Sequence, residues 1–201
     1  MKIGLYFGTY NPIHVGHLII ANHMADSSNL DQVWLVVSPQ NPLKNKTTLL
    51  ADYHRLALVK IAIEENPNLK ASNIEFDLPK PSYTIDTLTY LQEKHPEHEY
   101  SIIMGEDNLR TLHKWKNHEV ILSNHKIYVY PRVLTAQEIL AKDVKMETPF
   151  KDHPNVIITE APVMKISASF IRNAIKEKKE VRYLLTDPVC KYVAEMHFYE
   201  K

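Results

Sequence analysis

A chain of 201 residues, 44% hydrophobic and 24% charged, is one domain's worth of ordinary globular protein, which excludes disordered and fibrous architectures. Its 24 Lys and Arg balance 24 Asp and Glu, so no net field draws it to nucleic acid or an anionic membrane, and any phosphate must be held locally. The single cysteine, Cys190, excludes an intrachain disulfide and reads as a buried thiol in a reducing, cytoplasmic compartment.

The apolar run after Lys2 is too short for a secretion signal, and none reaches the roughly 18 residues of a membrane span. Residues 3–7 are almost continuously apolar and end at Gly8-Thr9-Tyr10-Asn11-Pro12, the pattern of a strand buried on both faces of a parallel sheet. A helix is predicted over 15–24, closed by Asp26-Ser27-Ser28-Asn29, then a buried strand over 33–37 stopped by Ser38-Pro39. The period of Leu56, Val59, Ile61, Ala62 and Ile63 predicts a helix over 51–65, and 71–76 reads as a third strand. Pro81-Ser82-Tyr83-Thr84-Ile85-Asp86 reads as a helix entrance capped by Ser82, running to about residue 94.

Strands are predicted over 100–104, 126–130 and 156–158, with a short helix over 115–122. Residues 133–155 hold no sustained period and read as a loop with a marginal helix over 136–140. Helices over 167–178 and 187–197 close the chain, the second with Pro188 in its first turn. This alternation predicts an α/β fold: one doubly wound, Rossmann-like parallel sheet in a single domain over 1–201, with the helices from about 167 packed on the same sheet. Ligands of such sheets lie beyond the strand carboxyl ends where strand order reverses, so the loops after Phe7, Val37, Phe76, Met104 and Tyr130 are the candidates.

The first of these loops matches neither the three-glycine dinucleotide fingerprint nor a P-loop. It enters a helix with His14 and His17 three residues apart, hence on one face, where unpaired N–H groups and about half a positive charge favour an anion. Gly16 between them leaves room for a ligand's bulk. For a lone His-x-x-His the plainer reading is a capped helix start with one histidine packed inward. Zinc would need a third ligand and a base, and the Glu of His-Glu-x-x-His is absent.

The stretch Gly8-Thr9-Tyr10-Asn11-Pro12-Ile13-His14-Val15-Gly16-His17 closely resembles the Gly-Thr-Phe-Asp-Pro-x-His-x-Gly-His signature of the nucleotidyltransferase superfamily. Pro81-Ser82-Tyr83-Thr84-Ile85-Asp86-Thr87-Leu88 resembles the Pro-Ser-Tyr-Thr-x-Asp-Thr-Leu block of bacterial nicotinate-nucleotide adenylyltransferases. Ile103-Met104-Gly105-Glu106-Asp107, followed by Trp115, is similar to that family's Gly-x-Asp and Trp block, and Ile166-Ser167-Ala168-Ser169-Phe170-Ile171-Arg172 to its Ile-Ser-Ser-Thr-x-Ile-Arg motif. Four blocks in order, over residues 1 to about 185, are more specific than any one of them. The resemblance implies transfer of AMP from ATP, bound with Mg²⁺, to nicotinate mononucleotide, giving deamido-NAD and pyrophosphate.

It also implies a set of residues. His14, His17 and Arg172 would act on the reacting phosphates, with Gly8, Thr9, Gly105, Asp107, Ser167 and Ser169 completing the ATP site and Asp107 at the adenosine ribose. Thr9, Tyr10, Asn11, Lys44, Ser82, Tyr83, Thr84, Trp115 and Lys116 would take the mononucleotide. Within that group the N–H groups of Thr9 and Tyr10 meet its phosphate, Trp115 stacks on the pyridine, and the N–H groups of Thr84 and Lys116 hold the ring carboxylate.

Plainer readings stand beside these: Lys44 as a solvated loop lysine, Ser167 as an N-cap alone, Gly105 and Asp107 as a turn, Trp115 as packing. The chain departs from the family pattern at Phe7, Asn11 and Arg132-Val133-Leu134, which bears on the phosphate loop and on adenine packing near Arg132. An adenylyltransferase for nicotinamide mononucleotide or another phosphate monoester, and a non-catalytic nucleotide sensor, remain alternatives. A homo-oligomer is compatible with the sequence.

Overall fold

A computed structural model describes residues 1–39, 49–131, 148–162 and 164–201. Lys44, Arg132 and the marginal helix expected over 136–140 lie outside the described residues. Six strands, β1 (Lys2–Gly8), β2 (Gln32–Val37), β3 (Leu69–Ser72), β4 (Glu99–Gly105), β5 (Ile127–Tyr130) and β6 (Val156–Ile158), form one parallel sheet in the order β3-β2-β1-β4-β5-β6. The expected doubly wound α/β sheet is therefore present. β1 pairs with β2 on one side, Gly8 opposite Val37, and with β4 on the other, Tyr6 opposite Ile103. Strand order reverses between β1 and β4, which opens a crevice at their carboxyl ends.

The uninterrupted apolar strands follow from burial on both faces. Ile3, Leu5, Val36, Ile102 and Val129 point to one side, where they pack with α3 (Thr84–Lys94), α4 (Glu106–Thr111) and α5 (His118–Asn124). Tyr6, Val33, Leu35, Val37 and Ile103 point to the other and meet α1 (Val15–Ser27) and α2 (Asp52–Ile63). The same core takes in Ile171 and Ala174 of α6 (Ala168–Lys176) and Val189 and Val193 of α7 (Asp187–Glu195). The closing helix α7 packs against α2.

Several expected boundaries move. The third strand is Leu69–Ser72, not 71–76, because Asn73 breaks the ladder and Ile74–Phe76 turns into a short 3-10 helix. α1 continues to Ser27, the hydroxyl of Ser28 then donating to the Met24 carbonyl. α2 is shorter than 51–65 at both ends, and 167–178 and 187–197 shrink to α6 and α7. The segment after β4, where no helix was expected, is the helix α4, with Gly105 as its N-cap. Trp115 has an extended backbone before α5 instead of starting a helix. Ser82 does not cap α3; that place belongs to Tyr83. Cys190 is half-buried instead of fully inside. No described helix is long and apolar enough to cross a membrane.

Candidate active site

The loop after β1 is held in shape by its own tyrosine. Tyr10 has a left-handed backbone at φ 45, and its buried ring folds back over Gly8, where a Cβ would lie 2.8 Å from the ring. Its hydroxyl donates to the Tyr6 carbonyl. The Tyr10 ring also meets the His17 imidazole edge-on, with centroids 5.0 Å apart. An aromatic wall thus fixes one side of the histidine pair.

His14 is the N-cap residue of α1, outside the helical turn, and His17 is its third residue. Their rings stack with centroids 3.7 Å apart and planes 25° off parallel. The His14 N–H donates to His17 Nδ1 at 3.3 Å, while the His17 N–H donates to the His14 carbonyl at 2.9 Å. His14 Nδ1 is buried and completes no hydrogen bond among the described residues, which makes it the loose half of a capping box. Because His17 Nδ1 accepts from the His14 N–H, the proton of the neutral His17 ring sits on Nε2, which makes that atom a donor.

At Gly16, between the two histidines, a Cβ would stand 3.1 Å from His14 Nδ1, so the missing side chain leaves room for the His14 ring. At Gly105 a Cβ would meet the Asp107 carboxylate at 2.6 Å and the Tyr130 ring at 3.2 Å. The space over the strand end holds the carboxylate itself. Neighbouring Glu106 accepts from Arg110 and from Thr148, both at 2.9 Å.

Burial lowers the pKa of His14 from 6.5 to about 4, so the ring is neutral at pH 7 and acts as a dipolar donor. A histidine that binds its proton more weakly when folded keeps its full contribution to stability above about pH 6.5. That contribution is lost as pH falls toward about 4. His14→Asn is expected to flatten the decline in urea midpoint between pH 6.5 and 4.5. Parallel declines for the variant and the wild type would show that His14 is not the group responsible.

The serine-arginine turn reaches the same loop from the far end of the chain. Ser167 caps α6 by accepting from the Phe170 N–H at 3.2 Å. Arg172, one turn on, donates to the Asn11 carbonyl at 2.8 Å and to Ser169 Oγ at 3.1 Å. The histidine loop and the turn at 167–172 are therefore in direct contact. Asn11 Oδ1 also accepts from the Leu50 N–H at 3.2 Å and from the Tyr199 hydroxyl at 2.9 Å.

A second group forms at the start of α3. Thr84 is the first helical residue, so its N–H belongs to the unpaired set at a helix start. Lys116 donates to both oxygens of Asp86, at 2.9 and 3.0 Å, and its ammonium lies 5.0 Å from the centre of the Tyr83 ring. Trp115, beside it, is partly buried against the core on that face of the sheet.

Sequence reading missed Arg55. This fully buried guanidinium donates to the carbonyls of Thr9 at 2.6 Å, Ser38 at 2.7 Å, Pro39 at 3.1 Å and Leu50 at 3.0 Å, and pairs with Asp52 at 2.5 Å. It ties the loop after β1 to the loop after β2. Burial lowers its pKa, with Asp52 opposing. A signal was available, since residue 55 shares the buried helical face of Leu58, Val59 and Ile63, where a lone charge must find partners. Among the described residues, no three His, Cys, Asp or Glu side chains converge as a metal site.

The family model for cytidylyltransferase-like proteins matches residues 5–174. A protein of Flavobacterium johnsoniae described as a probable nicotinate-nucleotide adenylyltransferase is 57% identical over 201 residues, covering 100% of both chains. The chain belongs to the nicotinate-nucleotide adenylyltransferases of the cytidylyltransferase-like family. A Bacteroides fragilis protein of the same description is 41% identical, over 96% of this chain and 92% of its own. The Plasmodium falciparum nicotinic acid mononucleotide adenylyltransferase complexed with NaAD shares the fold, with a TM-score of 0.78 at 17% identity, over 99% of this chain and 97% of that one.

Proposed function

We propose that this protein transfers AMP from ATP to nicotinate mononucleotide, forming deamido-NAD and pyrophosphate. The activity follows the family of its full-length relatives. The observation that carries the chemistry is the stacked His14 and His17 pair at the strand reversal, joined through Asn11 to Arg172. A phosphate oxygen of the mononucleotide attacks the α-phosphorus of ATP. A new P–O bond forms, the bond to the bridging oxygen breaks, and its electron pair leaves with pyrophosphate. The attacking oxygen is already anionic, so the chain needs to supply alignment and charge stabilisation, not a base.

In this scheme the imidazole N–H groups of His14 and His17, with Arg172, stabilise charge growing on the departing pyrophosphate. Gly8, Thr9, Gly105, Asp107, Ser167 and Ser169 complete the ATP site, and Mg²⁺ enters as part of the ATP complex. The N–H groups of Thr9 and Tyr10 take the mononucleotide phosphate beside Asn11. Ser82, Tyr83, Thr84, Trp115 and Lys116 receive the pyridine end, where the N–H groups of Thr84 and Lys116 hold the ring carboxylate. Lys44 is proposed as a further phosphate contact.

Comparing kcat/KM for the acid and amide mononucleotides tests the substrate. The acid is expected to win by at least ~10-fold, the size of one charge-assisted hydrogen bond. Equal values, or preference for the amide, would favour nicotinamide mononucleotide as the acceptor.

A further inference from the structure

Tyr199 reaches the phosphate loop across 188 residues of sequence. His197 and Tyr199 both have left-handed backbones, at φ 51 and φ 67, a conformation that costs non-glycine residues about 1 kcal/mol or more each and persists where surroundings enforce it. Phe198 between them is buried and donates its N–H to the Val193 carbonyl at 3.1 Å, so the ring of Phe198 anchors the bend while Tyr199 turns toward the site. The Tyr199 hydroxyl then donates to Asn11 Oδ1 at 2.9 Å. Burial raises the phenol's pKa, with the nearby Arg172 and Arg55 cations opposing, so the group stays protonated and remains a donor.

Asn11 is the junction of this contact with the chemistry. Its side-chain oxygen accepts from Tyr199 and from the Leu50 N–H, while its main-chain oxygen accepts from Arg172 at 2.8 Å. A residue gripped at both oxygens holds the guanidinium at a set distance from the loop that carries His14 and His17. We propose that Tyr199 is a positioning residue for adenylyl transfer, fixing Asn11 and through it the placement of Arg172 against the phosphate loop. This inference rests on the function proposed above.

Tyr199→Phe removes the hydroxyl and keeps the ring. The expected result is a fall in kcat of about tenfold, the scale of one buried hydrogen bond, with both KM values within about twofold and a melting temperature lowered by no more than about 4 °C. In an Arg172→Ala background the same substitution should change kcat by less than about twofold, because no guanidinium is left to place. An unchanged kcat for Tyr199→Phe overturns the proposal. So does the same tenfold loss repeated in the Arg172→Ala background, or a loss accompanied by a fall in melting temperature well beyond about 4 °C. Wild-type turnover of ATP with nicotinate mononucleotide is measured alongside: its absence would refute the function itself, whereas an active wild type with an indifferent Tyr199→Phe refutes only the positioning role.

Discussion

Replacing His17 with alanine is expected to lower kcat by about 10²–10³-fold while moving the KM for ATP by no more than about threefold. The reason lies in how the ring is held. Its Nδ1 accepts from the His14 N–H, one face stacks on His14, and Tyr10 packs against it edge-on. A donor fixed on three sides before substrate arrives has little reorganisation left to do as charge develops, which is where preorganised hydrogen bonds give their largest rate effects. Initial rates of pyrophosphate release over a grid of both substrates check this. A loss of equal size in ATP affinity would mean that His17 grips the ground state, and the assignment to developing charge would be wrong.

The second large effect concerns Arg55. Arg55→Leu should destabilise the fold by about 3–5 kcal/mol, the scale seen when one partner of a buried charged network is removed. The guanidinium serves four carbonyls and the Asp52 carboxylate at once, and leucine would leave the carbonyls of Thr9, Ser38, Pro39 and Leu50 without that donor. Arg55→Lys should recover only a minor part, since one ammonium has three donors and no planar fork. Urea unfolding at pH 7 measures both variants. A cost under about 1 kcal/mol for Arg55→Leu would mean that water replaces the guanidinium readily and that the clamp between the two loops is not structural.

What was legible in the sequence was what period and punctuation encode. All six strands were expected, because doubly buried strands leave continuous apolar runs, whereas the strand order and its reversal between β1 and β4 carry no local signal. The histidine loop and the Ser167–Arg172 turn were legible as motifs, and the structure brings them together through Asn11. The packing around Gly16 and Gly105 was not legible, because a missing side chain does not say which neighbour fills its space; here His14 and Asp107 do. α4 was missed because six residues opening Glu106-Asp107 carry too few apolar positions to show a period. Tyr199 left no signal, since a contact spanning 188 residues is made by the fold and not by local pattern.

The central claim is that the stacked histidines promote attack of one nucleotide's phosphate on another. Its most direct measurement is the stoichiometry of pyrophosphate and dinucleotide formed from ATP by the purified protein, with and without nicotinate mononucleotide. Equal amounts of both products, formed only when the mononucleotide is present, are predicted. Pyrophosphate released without the mononucleotide, or ATP bound with no turnover in its presence, would contradict the account.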